Sequence, residues 1–181
     1  AFGAVGSWLA AGLIRWAVSD DEDARRLAED ARLHVVPMVD LDSVHIASSG
    51  KHREPVCFSR DLRPNPHWNA NKALVREWDE STPELYLDLH GPHGNESDLY
   101  FYTPLASMTT PAHDGDLAEF RGHLFDTLPA TMQFDGRIYR CPIGQDEEGQ
   151  DMSDAGFYYM HRRYFGKGRL RLSLTPETPW S

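Results

Sequence analysis

Apolar side chains recur at helical spacing in the first thirty residues of the chain. Trp8, Leu9, Leu13 and Trp16 fall on one helical face, which predicts a helix over residues 5–18. A second helix is expected directly afterwards, because two aspartates precede it and can cap its free N–H groups. These aspartates are Asp20 and Asp21, and the apolar face consists of Ala24, Leu27, Ala28 and Ala31.

Two kinds of strand pattern follow. Residues 33–39 form a nearly continuous apolar run, which is typical of a strand that is buried on both faces. Residues 84–90 alternate between apolar and polar positions and stop at Gly91, so this predicted strand carries His90 at its tip. Further strands are predicted over residues 98–103 and 169–175.

Helical patterns separate these strands. They cover residues 69–79, 117–128 and 154–165, whereas residues 40–66 and 145–151 are polar and irregular. Helices that alternate with buried strands predict an α/β domain with a mixed, largely parallel sheet flanked by helices. Such sheets bind ligands beyond the carboxyl ends of their strands. His90 and Glu177 both lie at predicted strand ends, so we expect the functional site there.

The composition of the chain indicates which classes of binding partner are improbable. The chain has 181 residues, which suits one domain, and a net charge of −10, which argues against nucleic acid as a general partner. No apolar run reaches the ~18 residues of a membrane span. No secretory signal is visible either, which favours a cytoplasmic protein without a membrane partner. Cys57 and Cys141 suit two free thiols or one disulfide.

His90 is the first candidate for chemistry. Asp88 and His90 are two residues apart on a predicted strand and therefore share a face. The carboxylate can orient the imidazole there, or both side chains can simply face solvent. The turn over residues 91–96 is crowded with polar groups and precedes another apolar strand, which adds some weight to the functional interpretation and leaves both open.

Glu177 and a group of cations are the other candidates. Glu177 lies just past a predicted strand, between Pro176 and Pro179, and so stiff a backbone suits a positioned general base or an ordinary exposed loop. The polar segment over residues 40–66 carries four cations that can grip a carboxylate or remain solvated. They are Lys51, Arg53, Arg60 and Arg63.

These candidates belong to six short sequence motifs that follow one another along the chain. The first three are Pro37-Met38-Val39-Asp40-Leu41-Asp42-Ser43-Val44, Gly50-Lys51-His52-Arg53-Glu54-Pro55 and Ser59-Arg60-Asp61. The last three are Asp88-Leu89-His90-Gly91-Pro92, Asn95-Glu96 and Thr175-Pro176-Glu177. In this order they resemble the zinc metallocarboxypeptidases, the clan of carboxypeptidase A and the cytosolic carboxypeptidases, and above all its bacterial members.

The resemblance implies a zinc carboxypeptidase-like fold of the phosphorylase/hydrolase type, with Zn²⁺ as the cofactor. His90 would be the third zinc ligand, and Glu177 would be the general base that takes a proton from the metal-activated water. Arg53 would polarise the scissile carbonyl of the substrate. The reaction would be hydrolysis of a C-terminal peptide bond.

The substrate implied by the resemblance is a peptide or a small carboxylate-bearing molecule. Arg60, with Ser59 beside it, would hold the terminal carboxylate of this substrate. Either Tyr158 or Tyr159 would act as the tyrosine that caps the substrate. Ser59 stands where the family usually has asparagine.

The resemblance further implies that residues 1–181 are a partial catalytic domain, truncated at both ends and without the N-terminal strands and the first zinc motif. The glutamate of that His-x-x-Glu motif aligns with Gly3, which has no side chain to bind zinc. Two alternatives stay open. One is a non-catalytic protein of this fold that binds peptide or carboxylate ligands, and the other is an aspartoacylase-like amidohydrolase of N-acyl amino acids.

Overall fold

A computed structural model describes residues 4–48, 50, 53–91, 99–129, 134–141, 156–167 and 169–178. None of the described helices is long and apolar enough to cross a membrane. The described elements are α1 (Ala4–Ala17), α2 (Glu22–Asp30), α3 (Leu41–His45), α4 (Asn69–Glu80), β1 (Leu85–Leu87), β2 (Leu99–Pro104), α5 (Pro111–Thr127), β3 (Phe134–Cys141), α6 (Gly156–Tyr164) and β4 (Leu172–Glu177), with short 3₁₀ helices at Phe58–Arg60 and Ala106–Met108.

The four described strands form one mixed sheet in the order β1-β4-β2-β3. β1 pairs in parallel with β4, and β2 pairs in parallel with β3, whereas β2 and β4 are antiparallel. Two of the three pairings are therefore parallel, and the predicted mixed, largely parallel sheet is confirmed. Because β1 and β4 run in the same direction, their carboxyl ends meet at one edge of the sheet.

Helices cover both faces of this sheet. On one face, Leu172 and Leu174 of β4 pack with Leu117 of α5 and with Leu99 and Phe101 of β2. On the other face, Ser173 of β4 donates a hydrogen bond from Oγ to the Phe157 carbonyl oxygen of α6, at 3.0 Å. Apolar side chains alternate with small polar ones along β4, as the period of a strand requires. β4 is thus the buried central strand, which contacts α5 on one face of the sheet and α6 on the other.

Side-chain caps explain where several helices begin. Asp21 accepts hydrogen bonds from the N–H groups of Asp23 and Ala24, which confirms the predicted start of α2. Thr110 caps α5 in the same way, and Pro111 occupies the first helical position, where its missing N–H costs nothing. The predicted helices over residues 5–18, 69–79, 117–128 and 154–165 are all present, and their described boundaries differ from the predicted ones by at most six residues.

α6 is also fixed to α4 by an ion pair. Arg163 donates two parallel hydrogen bonds to Asp79, at 2.8 and 2.7 Å, and the Tyr164 hydroxyl donates a third at 2.6 Å. The Arg163 hydrogen bond holds the pKa of Asp79 below its usual value, although partial burial acts in the opposite direction. This contact fixes the C-terminal end of α6 against α4.

The prediction of a buried strand over residues 33–39 is wrong. This segment has no regular secondary structure, and Leu33, Val36, Met38 and Val39 are exposed. A strand requires a neighbour that pairs with its N–H and C=O groups, and the strands in the described part of the chain pair with one another instead. β3, conversely, was not predicted, because Asp135, Gly136 and Arg137 interrupt any regular alternation.

Candidate functional site

His90 and Glu177 lie side by side at the edge where β1 and β4 end. The His90 N–H donates to the Pro176 carbonyl oxygen at 2.9 Å, and the Thr178 N–H donates to the His90 carbonyl oxygen at 3.0 Å. The Thr178 hydroxyl adds a second hydrogen bond to that oxygen, at 2.8 Å. The backbone thus forms a parallel bridge between His90 and Glu177 beyond the regular strands, which brings two predicted site residues together.

Carboxylates face both nitrogens of the His90 ring. Nε2 lies 3.3 Å from Oδ1 of Asp88, and Nδ1 lies 3.5 Å from Oε1 of Glu177. Burial lowers the pKa of His90, but Asp88 and Glu177 outweigh this effect and raise the pKa from 6.5 to about 10. Burial likewise raises the pKa of Asp88, but the charges of His90 and Arg60 bring it below its usual value. The site is therefore a compact group of opposite charges.

Glu177 is the most enclosed of these groups. Only 7% of the residue is accessible, and its Oε2 atom is buried without a hydrogen-bond partner among the described residues. Tyr100 lies directly across the antiparallel β2–β4 pair from Glu177. A buried carboxylate oxygen without a donor is costly, so it marks a position for a water molecule, an ion or a substrate group.

Helix α1 packs against the backbone just before His90, and Gly6 makes this approach possible. A Cβ atom at Gly6 would overlap the Leu89 carbonyl oxygen and lie 3.1 Å from the Leu89 carbonyl carbon. The sequence offered one indication of this role, because a glycine inside a helix costs stability and usually has a packing reason. Gly6 was nevertheless missed as a site residue.

We expect Gly6→Ala to destabilise the fold by about 1–3 kcal/mol, because Leu89 and α1 must move apart. Gly12→Ala on the same helix is the matched control, since a Cβ there meets no atom within 4 Å. It should instead stabilise the protein by roughly 0.5–1 kcal/mol through helix propensity. Urea unfolding measures both values. Equal effects of the two substitutions would contradict the close packing of α1 on Leu89.

Ser59 and Arg60 form the end of the 3₁₀ helix Phe58–Arg60. The Ser59 hydroxyl lies 3.3 Å from Sγ of Cys57, and Cys57 is a free thiol. Arg60 is close enough to Asp88 for its charge to lower the pKa of that carboxyl group. The structure therefore places Arg60 on the side of the site where Asp88 lies.

Asp61, the residue after Arg60, holds this part of the chain in place. Its carboxylate is fully buried and accepts hydrogen bonds from the N–H groups of His67 and Trp68, at 2.9 and 2.8 Å. It also accepts from Arg63 Nε at 3.0 Å and from Asn71 Nδ2 at 3.4 Å. Asp61 thus fixes the two residues that lead into α4, whose N-cap residue Trp68 makes no side-chain cap.

Arg53 lies in a separate contact. Its Nη1 atom is 2.7 Å from Oδ1 of Asp40, its Nη2 atom is 3.4 Å from Oδ2 of Asp42, and its guanidinium lies 3.9 Å from the centre of the Trp68 ring. These contacts fix the guanidinium on one face and one edge. The described contacts connect Arg53 with Asp40, Asp42 and Trp68, whereas Arg60 is the arginine that influences Asp88.

The two tyrosines predicted as candidates for the substrate cap both lie on α6, inside the packed part of the fold. Tyr158 is completely buried and packs with Phe157, and Tyr159 is 3% accessible and lies in a core cluster with Met160. Both rings therefore contribute to packing in this structure, and the role of either tyrosine as a substrate cap stays a prediction. Gly3 and the acidic loop over residues 145–151 lie outside the described residues.

Comparison with known proteins identifies this architecture. No family model matches the chain. A metallo-carboxypeptidase from Pseudomonas aeruginosa, solved in complex with (2-guanidinoethylmercapto)succinic acid, superposes on it with a TM-score of 0.69 and 21% sequence identity, over 96% of this chain and 44% of that chain. The chain has the metallo-carboxypeptidase fold. Cytosolic carboxypeptidase 2 of Xenopus tropicalis is 29% identical over 104 residues, which are 54% of this chain and 10% of that protein.

Both comparisons confirm the resemblance to the metallocarboxypeptidase family that the sequence predicted. Both similar proteins are named as carboxypeptidases, which are hydrolases. The chain spans about a tenth of the length of the curated relative and less than half of the structural one.

The described residues fit one position of a zinc site. Within them, no group of three or more His, Cys, Asp and Glu side chains is arranged to hold a metal ion. His90 is the candidate ligand among them, since Asp88 faces one of its ring nitrogens and the buried Glu177 faces the other. Oε2 of Glu177 is a buried acceptor that lacks a described donor. A metal with an acidic bound water would suit this arrangement.

Proposed function

We propose that the chain is the catalytic part of a zinc-dependent metallocarboxypeptidase that hydrolyses the C-terminal amide bond of a peptide. The observation that carries this proposal is the pairing of His90 with the buried Glu177 at the carboxyl ends of two neighbouring parallel strands. Ligand sites of open α/β sheets lie at such ends. A fold shared with carboxypeptidases makes peptide hydrolysis the reaction most consistent with the pair.

Glu177 is the general base of this proposal. Its Oε2 atom lacks a described donor, so it is available to receive the proton of a water molecule and then deliver it to the leaving amine. Zn²⁺, held in part by His90, would polarise the substrate carbonyl and make its bound water more acidic. The 7% accessibility of Glu177 keeps bulk solvent away from this proton transfer.

Arginines give the proposed enzyme its preference for chain ends. Arg60, beside Asp88, would bind the terminal carboxylate of the substrate, with Ser59 next to it. Arg53 would polarise the scissile carbonyl of the substrate. The Pseudomonas protein binds a succinic acid derivative, which agrees with a peptide or a small carboxylate-bearing molecule as the ligand class.

Two substrate classes distinguish the proposal from its alternatives. We expect the full-length protein to hydrolyse N-blocked dipeptides, to lose this activity with a chelator and to regain it with Zn²⁺. Turnover of N-acyl amino acids alone would identify an aspartoacylase-like amidohydrolase instead. Binding of dipeptides without any turnover would identify a non-catalytic protein of the same fold.

Zinc content tests the role of His90. We expect nearly one zinc per full-length protein, and His90→Ala should lower the zinc affinity by about tenfold or more, because an open zinc site has only three protein ligands. His123→Ala is the matched control, since His123 is exposed on α5 and its carboxylate partner Glu119 is exposed too. Equal zinc content in wild type and His90→Ala would remove His90 from the metal site.

A further inference from the structure

A buried histidine, His161, lies on α6 outside the candidate site. Its ring stacks on Phe165 with the ring centres 4.4 Å apart, and the ring of His113 from α5 meets it edge to face at 5.5 Å. His113 also packs against Phe165, with the ring centres 5.5 Å apart. Only 4% of His161 and 1% of His113 are accessible, so two imidazoles from different helices share one buried cluster.

The hydrogen bonding of His161 requires a neutral ring. Its Nε2 atom lies 2.8 Å from the Met108 carbonyl oxygen, in the segment that follows β2. A carbonyl oxygen can only accept, so Nε2 carries the proton and Nδ1 of the neutral ring keeps a lone pair. Nδ1 is buried without a hydrogen-bond partner among the described residues. A second proton, on Nδ1, would therefore create a buried charge and an unpaired donor at once.

None of the described carboxylates forms an ion pair with His161. On α5, the Asp114 carboxylate lies beside His113 instead, 3.5 Å from its Nδ1 atom. On α6 itself, Arg163 pairs with Asp79 of α4. Burial lowers the pKa of His161 below its usual value of 6.5, and the hydrogen bond to the backbone carbonyl oxygen opposes this effect only in part. The surroundings of the ring thus favour its neutral form.

Helix α6 also connects this cluster to the central strand of the sheet. The Phe157 carbonyl oxygen of α6 accepts the hydrogen bond from Ser173 of β4, and Met108 packs against the buried cluster to which Phe157 belongs. Met108 therefore contacts α6 twice, through its side chain near the first turn and through its carbonyl oxygen at His161. Loss of the contact at His161 would loosen α6 on β4, which ends at the candidate site.

We infer that the His161–His113 pair is an acid-sensitive clamp, which holds α6 against α5 and the segment after β2 while His161 is neutral and releases α6 when His161 is protonated. The clamp depends on packing, so it does not require the proposed zinc-dependent function. In the unfolded chain, His161 titrates near its usual pKa of about 6.5. The stabilising contribution of the clamp is therefore complete above pH 6.5 and is lost as the pH falls below this value.

Urea unfolding of the full-length protein at a series of pH values tests the clamp. The unfolding equilibrium constant of the wild type should rise relative to that of His161→Phe, by up to about tenfold for each pH unit below 6.5, because unfolding then takes up one additional proton. His123→Phe is the matched control and should keep the wild-type pH dependence, since 73% of the His123 side chain on α5 is exposed. The same pH dependence in the wild type and in a folded His161→Phe variant would overturn the inference.

An NMR titration of the wild type adds a readout that does not require a stable variant. The ring signals of His161 should keep their neutral chemical shifts at pH values where those of the exposed His123 already report protonation. A His161 ring that titrates together with His123, or at a higher pH, would show that no such clamp exists. Lack of dipeptide hydrolysis with the expected His161 titration would overturn the proposed function alone.

Discussion

Replacement of Glu177 by glutamine is expected to lower kcat for dipeptide hydrolysis by about 10²–10⁴-fold, because a general base contributes rate factors of this size. Glutamine has nearly the same shape and retains one oxygen acceptor, but it cannot take up the proton of a water molecule at neutral pH. The expected signature is a large fall in kcat with little change in KM. Steady-state kinetics of the full-length protein measure both quantities.

The matched control is Glu80→Gln, which makes the same chemical change at an exposed position at the end of α4. We expect this variant to retain wild-type kinetics. Zinc content should be unchanged in both variants, because the substitution at Glu177 alters the proton acceptor and leaves His90 in place. A Glu177→Gln variant with at least a third of the wild-type kcat would remove Glu177 from the role of base.

Asp61→Ala is expected to cost about 2–4 kcal/mol of unfolding free energy, because each buried donor that loses its acceptor costs about 1–3 kcal/mol. The change removes the acceptor of four hydrogen-bonding residues, Arg63, His67, Trp68 and Asn71. Their donors would be left without this acceptor inside the fold. A loss of this size is a large fraction of the 5–15 kcal/mol that stabilises a typical domain.

The consequences should extend to substrate binding, because Arg60 immediately precedes Asp61. We expect an increase in KM for dipeptides at temperatures where the variant is still folded. Asp30→Ala, at an exposed position at the end of α2, provides the control and should change stability by less than about 0.5 kcal/mol. Urea unfolding of the two variants compares them directly. Equal midpoints would contradict the role of Asp61 as a buried acceptor.

The local sequence pattern was sufficient to predict the helices. The apolar spacing around Trp8 and Trp16 and the capping group of Asp21 act within a few residues, and α1 and α2 form as they predict. The central strand was also predictable from the local pattern, since the strand predicted over residues 169–175 differs from β4 only in its boundaries. Such signals do not depend on where distant parts of the chain lie.

Strand pairing and residue contacts depended on the tertiary structure. The apolar segment over residues 33–39 is exposed and unpaired among the described strands, and β3 forms although its sequence lacks a strand pattern. The burial of Tyr158 is a further example, because nothing in the local sequence distinguishes a buried tyrosine from an exposed one. Backbone pairing and burial are properties of neighbours that are distant in sequence.

For the candidate site, the sequence determined which residues lie at strand ends, and the tertiary structure decided which of them meet. The alternation before His90 and the prolines around Glu177 identified both residues, because strand ends and stiff turns are local features. Their pairing required β1 and β4 to lie parallel and adjacent. The contact of Arg53 with Asp40 and the approach of Gly6 to Leu89 likewise arise only from packing between elements.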